Sequence, residues 1–302
     1  MSPTGLTGAG MVSYNAAPSG KESVARDIAL ITDSSACVPE ELRRDLDIRI
    51  VPITVHIGSE EFRNGIDLEP AKLYEALERD LPVKSAAPSP LDYLDAIEAV
   101  GDRPAVILTP ATEFTRMYRN AVLGAELSAR SIPVVDSRSA TAGHGLVVLA
   151  AAQAREAGGS LDDVVAAAED AAARVELVAA LETLSYLRQS GRVSPLTLGM
   201  ANHLGVRPVF RMRRGIVERL GLPRSQEAAL GRIVREWKGG GGQDGERSAV
   251  FHAGRPERAR DLASRLGSDP FVTEFSAAMA IHTGPGVVGV AWLPARDSEL
   301  PL

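Results

Sequence analysis

Short apolar runs that break off at polar or glycine-bearing turns recur along this 302-residue chain, and stretches with helical spacing separate them. "DIALITDSSA" ends such a run on Asp33, Ser34 and Ser35, and "VPEELRRDL" then brings proline and acids to a helix start. "IRIVPITVHIG" reads as a second strand. "EEFRNGIDLEPAKLYEALERDL" reads as a turn at Asn64-Gly65 followed by a helix, "PAVILTP" as a third strand, and "IPVVDSRSATAG" as a fourth that stops at Asp136-Ser137. Strands alternating with helices predict an α/β fold with a mostly parallel sheet, whose ligands gather at the carboxyl ends of the strands.

Past residue 160 the texture changes. An Ala- and Glu-rich stretch over 161–187 predicts helix, and "ETLSYLRQSGRVSP" ends one at Gly191. "GVRPVFRMRRGIVERLGLPRS" predicts a hairpin turning at Arg214-Gly215, with alternate arginines on one face. "GGGGQDG" at 239–245 is too glycine-rich to be ordered by its own propensity. "SAVFHAG", a helix from Pro256 to about Leu266, and two apolar runs flanking "IHTGPG" complete a second α/β unit, the first of those runs, Phe275 to Ile281, reading as a strand. The expected division is a flexible tail over 1–25, an N-terminal α/β domain over 26–175 and a C-terminal α/β domain over 176–302.

The two Asp-Ser strand ends have two readings. Each side chain can cap a helix, or the pair can form a polar rim around a cleft at one edge of the sheet. Ser85 and Ser89 around Pro88, and Thr109, Thr112 and Thr115 after the third strand, extend such a rim. Hydroxyls and helix-start amides dominate it, which suits a carboxylate or a phosphate.

Composition narrows the classes. A net charge of −6 argues against a general nucleic-acid or anionic-membrane surface. The single cysteine, Cys37, excludes an intrachain disulfide and a thiolate metal cluster, in keeping with a reducing cytoplasm. No apolar run approaches the ~20 residues that span a bilayer, and the first 25 residues lack the pattern of a signal peptide. The five histidines show no metal-ligand spacing. Neither a G-x-S-x-G elbow nor a G-x-x-x-x-G-K-[ST] loop is present.

"ITDSSA", "SAAPSP.DYL", "VVDSRSATAG", "LSYLRQSGRVS", "GVRPVF", "PRS" and "HTGPG" follow one another as they do in the DegV family, which the chain resembles from about residue 28 to 293. The resemblance implies a two-domain α/β protein that buries one long-chain fatty acid between its domains. It also implies an acyl carrier with no nucleotide site or other cofactor, presenting the carboxylate to a separate fatty-acid kinase.

On that resemblance His282 is the carboxylate-side histidine, with Thr283 beside it, and Gly284 and Gly286 let the backbone approach the head group. Ser85 stands where the family's "TSQPSP" segment has threonine, and Ala86 and Ala87 replace the Ser and Gln that follow. "TRMY" represents a Ser-Gly-Thr-aromatic segment, so Thr115 is the hydroxyl counterpart and Arg116 replaces the glycine, either reaching the carboxylate or standing in solvent. Ser34, Ser35 and Arg224 complete the expected ligand-binding set, and Arg192 matches a further family arginine. The arginines at 207, 211, 213, 214, 219 and 224 form either a docking patch for an acidic kinase surface or a solvated hairpin. The competing readings are a phosphohistidine carrier through His282 and a small hydrolase drawing on Ser34, His282 and Asp136.

Overall fold

The computed structural model describes residues 27–191 and 205–296. The tail expected over 1–25 and Arg192 lie outside the described residues. The first half runs β1 (Ala29–Asp33), α1 (Glu40–Asp45), β2 (Ile48–Val51), β3 (Thr54–Ile57), β4 (Glu60–Arg63), α2 (Pro70–Glu78), β5 (Val83–Ala86), α3 (Pro90–Glu98), β6 (Ala105–Thr109), α4 (Met117–Leu127), β7 (Val134–Asp136), α5 (Thr141–Glu156) and α6 (Leu161–Arg174). The second continues with β8 (Glu176–Ala180), α7 (Ser185–Ser190), β9 (Val209–Arg213), β10 (Ile216–Gly221), α8 (Gln226–Gly239), β11 (Arg247–His252), α9 (Pro256–Leu266), β12 (Phe271–Glu274), α10 (Ala277–Thr283) and β13 (Val288–Leu293).

The class is mixed α/β with a parallel sheet, as the alternation predicts. Strands β2-β1-β6-β7 form that sheet, and every position of β1 and β6 is buried. Continuous apolar runs mark strands covered on both faces. A six-stranded mixed sheet takes the order β10-β9-β8-β13-β11-β12, and a small antiparallel sheet the order β4-β3-β5. Helix α5, buried at twelve of its sixteen positions, touches strands of both larger sheets, and one apolar core runs through them. The hairpin turns at Arg214-Gly215 as expected, both residues adopting positive φ (50° and 78°), and α9 spans Pro256–Leu266.

Three local expectations are corrected, and the structure adds to two further readings, the Asp-Ser strand ends and the glycine-rich segment. The run 48–58 is two strands, because Pro52 cannot donate to a ladder and the chain leaves the parallel sheet there for the small one. The helix expected through 187 stops at Arg174, and the fully buried "ELVAA" of β8 enters the six-stranded sheet between β9 and β13. The run before "HTGPG" is not a strand: three alanines favour helix α10 over Ala277–Thr283. The Asp-Ser strand ends cap no helix, since α1 and α5 begin at Pro39 and Ala140 without side-chain caps. Asp33 Oδ1 instead accepts from Ser35 N at 2.8 Å, and Asp136 Oδ1 from Arg138 N at 2.8 Å, each closing a local turn. Finally, the 239–245 segment is held by tertiary contacts. Trp292 Nε1 donates to Gly240 O at 2.8 Å, and a side chain at Gly242 would collide with the Trp237 ring. Both tryptophans are fully buried, in a second core between the six-stranded sheet and the helices α8 and α9.

Candidate functional site

A cavity of about 560 Å³ lies where the parallel sheet's loops, the six-stranded sheet and α10 meet. Its walls are largely apolar: Leu177 and Ala179 of β8, Phe210 and Met212 of β9, Val217 of β10 and Phe251 of β11 face it. Phe251 stacks on Phe275 with ring centroids 5.7 Å apart. The face follows from strand alternation, since Val178, Val209 and Val250 point instead into the core that holds the tryptophans.

Polar groups enter the same cavity from three directions. Strand β5 supplies Ser85, the loop before α4 supplies Thr115 and Arg116, and α10 supplies His282 and Thr283. Ser85 Oγ lies 3.4 Å from His282 Nε2 across 197 residues. Asn120 of α4, also in the wall, donates from Nδ2 to Pro88 O at 2.8 Å, so α4 begins beside the 85–88 segment. Four expected site residues, Ser85, Thr115, His282 and Thr283, therefore share one cavity.

The other members of the expected set are placed differently. Ser35 lines the cavity, but its hydroxyl donates to Asp33 Oδ1 at 2.5 Å, leaving it only acceptor capacity. Ser34 Oγ accepts from Ile53 N at 3.0 Å and is not in the wall. Arg224 is exposed and is not in the cavity wall. Gly284 and Gly286 have φ of 80° and 84°, and the close approach their missing side chains permit is to Tyr186 and Glu182. The turn that ends "HTGPG" thus fits against Tyr186 of α7 and the residue after Leu181.

The hairpin arginines are largely paired inside the molecule. Arg207 and Arg258 both bind Glu182, Arg211 binds Glu236 and lies 3.7 Å from Glu176, and Arg213 lies 3.8 Å from Glu176. Arg214 donates to Ala173 O at 3.2 Å. Burial pushes the Glu176 carboxyl up in spite of Arg211 and Arg213. Burial also pushes Glu182 up, but Arg258 and Arg207 outweigh it and hold the carboxyl below its ordinary range.

Two residues outside the expected set fix the wall. Asn64, 3% exposed, donates to Ser276 Oγ at 2.9 Å and to Ser34 O at 3.2 Å, and accepts from Ala278 N at 3.3 Å. Ser276 precedes α10 without capping it, so Asn64 supplies the cap from another part of the chain. Cys37 Sγ accepts from Ser276 N at 3.2 Å and donates to Ser35 O at 3.3 Å, and burial pushes its thiol up to about 12, so it serves as a neutral connector. The "NG" turn signal marks Asn64, but nothing near it in sequence identifies its partner 212 residues away.

Ser34, Asp136 and His282 bond to different groups, Ile53, Thr112 and Ser85 respectively. No relay joins them among the described residues. The same residues contain no cluster of three metal-ligating side chains, and no helix long and apolar enough to cross a membrane.

An apolar cavity with hydroxyls and an imidazole in its wall has the make-up of a small-molecule pocket, mostly apolar with a few placed polar groups. The family model described as "uncharacterised protein, DegV family" matches residues 27–295, and the chain belongs to that family. A DegV domain-containing protein of Streptomyces coelicolor is 32% identical over 88% of this chain and 98% of its own, and one of Mycobacterium tuberculosis is 30% identical over 87% and 96%. Among solved structures, a fatty-acid-binding DegV family protein from Thermus thermophilus superposes with a TM-score of 0.82 at 25% identity, over 89% of this chain and 99% of that one. A stearic-acid-binding protein from Eubacterium ventriosum shares the fold, with a TM-score of 0.80 at 22% identity over 89% and 99%.

Proposed function

We propose that this protein holds one long-chain fatty acid with its tail in the cavity and its carboxylate against Ser85, Thr115, His282 and Thr283. The observation that carries the reading is the meeting of Ser85 and His282 in the wall of a cavity otherwise faced by Leu177, Phe210, Met212 and Phe251. At about 560 Å³ the space falls within the range of small-ligand sites, roughly 300–1,000 Å³. A palmitoyl tail of about fourteen methylenes, at ~0.8 kcal/mol each, gains roughly 11 kcal/mol by leaving water, before the costs of association. A neutral imidazole offers one donor and a protonated one offers two, so either form can hold a carboxylate. The Thermus thermophilus relative, described as fatty-acid-binding, supports the same ligand class.

In this reading the protein is a carrier, not a catalyst. It resides in the cytoplasm of a bacterium and offers the head group to a separate fatty-acid kinase that forms the acyl phosphate. The exchange from the parallel to the six-stranded sheet at Glu176 supports a domain division near residue 175. Mass spectrometry of protein purified without added lipid tests the central claim. Close to one fatty acid per chain is expected. Absence of extractable lipid, together with no rise in melting temperature on adding palmitate, would overturn it.

A further inference from the structure

We infer that Arg116 is a head-group residue of this cavity, one that gives the site a charge-selective contact with an anionic ligand end. The inference rests on the fatty-acid reading and adds to it a determinant of specificity. Arg116 immediately precedes helix α4 and lines the cavity while remaining exposed. Its location follows from a chain of contacts: His282 to Ser85, then two residues on to Ala87 in the wall, and from Pro88 O to Asn120, whose backbone N donates to Arg116 O at 2.9 Å. Arg116 therefore belongs to the end of the cavity where the hydroxyls and the imidazole converge.

Its lack of partners distinguishes it. Arg207, Arg211, Arg213 and Arg258 face Glu176, Glu182 or Glu236, whereas the Arg116 guanidinium has neither a hydrogen bond nor an ion pair among the described residues. Glu113, the nearest acid in the same loop, is packed against Gly215 at the tip of the β9-β10 hairpin. The remaining polar groups of the wall are neutral hydroxyls and amides, apart from His282 and from Arg211, whose charge is met by Glu236 and Glu176. An unpaired planar cation with five donors adds a full positive charge to head-group donors, hydroxyls and an imidazole, that already favour a carboxylate over an ester by the strength of their hydrogen bonds. A neutral ligand of the same length gains nothing from it.

The test compares palmitate with methyl palmitate on wild type, Arg116→Ala and Arg116→Lys, at low and high salt. Palmitate affinity should fall about three- to ten-fold in Arg116→Ala at low salt, an effect expected of a partly exposed charged contact. Arg116→Lys should recover part of the loss, and the gap between wild type and Arg116→Ala should narrow as salt rises. Methyl palmitate should bind all three alike. Equal palmitate affinity for wild type and Arg116→Ala at low salt overturns this inference while leaving the fatty-acid reading in place. Failure of wild type to bind palmitate overturns both. Loss of methyl palmitate binding along with palmitate in Arg116→Ala would mean a shape effect, and would also overturn the inference.

Discussion

Replacing Asn64 with alanine should loosen the wall that carries His282, and the size of the effect can be worked from the contacts. The substitution removes three hydrogen bonds and leaves the buried Ala278 N–H and the half-buried Ser34 carbonyl without their partner. Each stranded backbone group costs about 1–3 kcal/mol, while the Ser276 hydroxyl oxygen, which accepts in this contact, loses one donor at smaller cost. A total near 3 kcal/mol is expected, which for a chain of this size corresponds to roughly 6–12 °C in Tm. Because α10 contributes Ala278, Met279, His282 and Thr283 to the cavity, palmitate affinity should fall as well. Trp237→Phe serves as the comparison. It loses the 3.0 Å bond from Nε1 to Ser248 Oγ in the other core and should lower Tm without changing affinity. Differential scanning calorimetry and isothermal titration of both variants give the readout. An Asn64→Ala protein that melts within about a degree of wild type and binds palmitate equally would refute the view that this amide holds α10 in place.

Three further outcomes are expected. His282→Ala and Ser85→Ala should each weaken palmitate by about 1–3 kcal/mol while leaving methyl palmitate nearly unchanged, as measured by titration; unchanged binding of the free acid would make the histidine structural. Gly289→Ala should destabilise by roughly 2 kcal/mol or more in urea, because its side chain would collide with Phe251 and lie 2.6 Å from Val178 O; a neutral result would mean the wall at Phe251 yields freely. Glu182 stabilises the fold fully above its ordinary value of 4.5, and that contribution is lost as pH falls through its lowered folded value. Urea midpoints of wild type and Glu182→Gln should therefore differ at pH 7 and draw together as pH falls below that lowered value, and a constant gap would contradict the pairing with Arg207 and Arg258.

Much of the α/β order could be read from β1, β6 and β11, whose apolar runs are buried on both faces and so show plainly in one dimension. The hairpin was equally plain, since Arg214-Gly215 sits between two alternating segments. The three-stranded sheet was not. β4 is almost wholly exposed and β5 alternates between exposed and half-buried positions, so neither carries an apolar signature. For α10, Phe275 to Ile281 is apolar at every position but Ser276 and only seven residues long, a length at which buried helix and buried strand look alike. The cap that decides the case comes from Asn64, and no local pattern contains it. In the cavity, the motif positions Ser85, Thr115, His282 and Thr283 came together, while the glycines of "HTGPG" turned out to serve the packing of Tyr186 and Glu182. Glycine in a motif marks close approach without saying what approaches.

The two tryptophans that hold the glycine-rich segment give the molecule a divided optical character. Trp237 and Trp292 are the only indoles in the chain, both are fully shielded from water, and neither faces the cavity. Intrinsic emission excited at the indole band will thus follow the melting of the outer face of the six-stranded sheet and remain nearly silent when a ligand fills the inner one. An unchanged tryptophan spectrum on adding lipid is the signal this architecture produces for a saturated site as much as for an empty one, and occupancy has to be followed through the ligand itself.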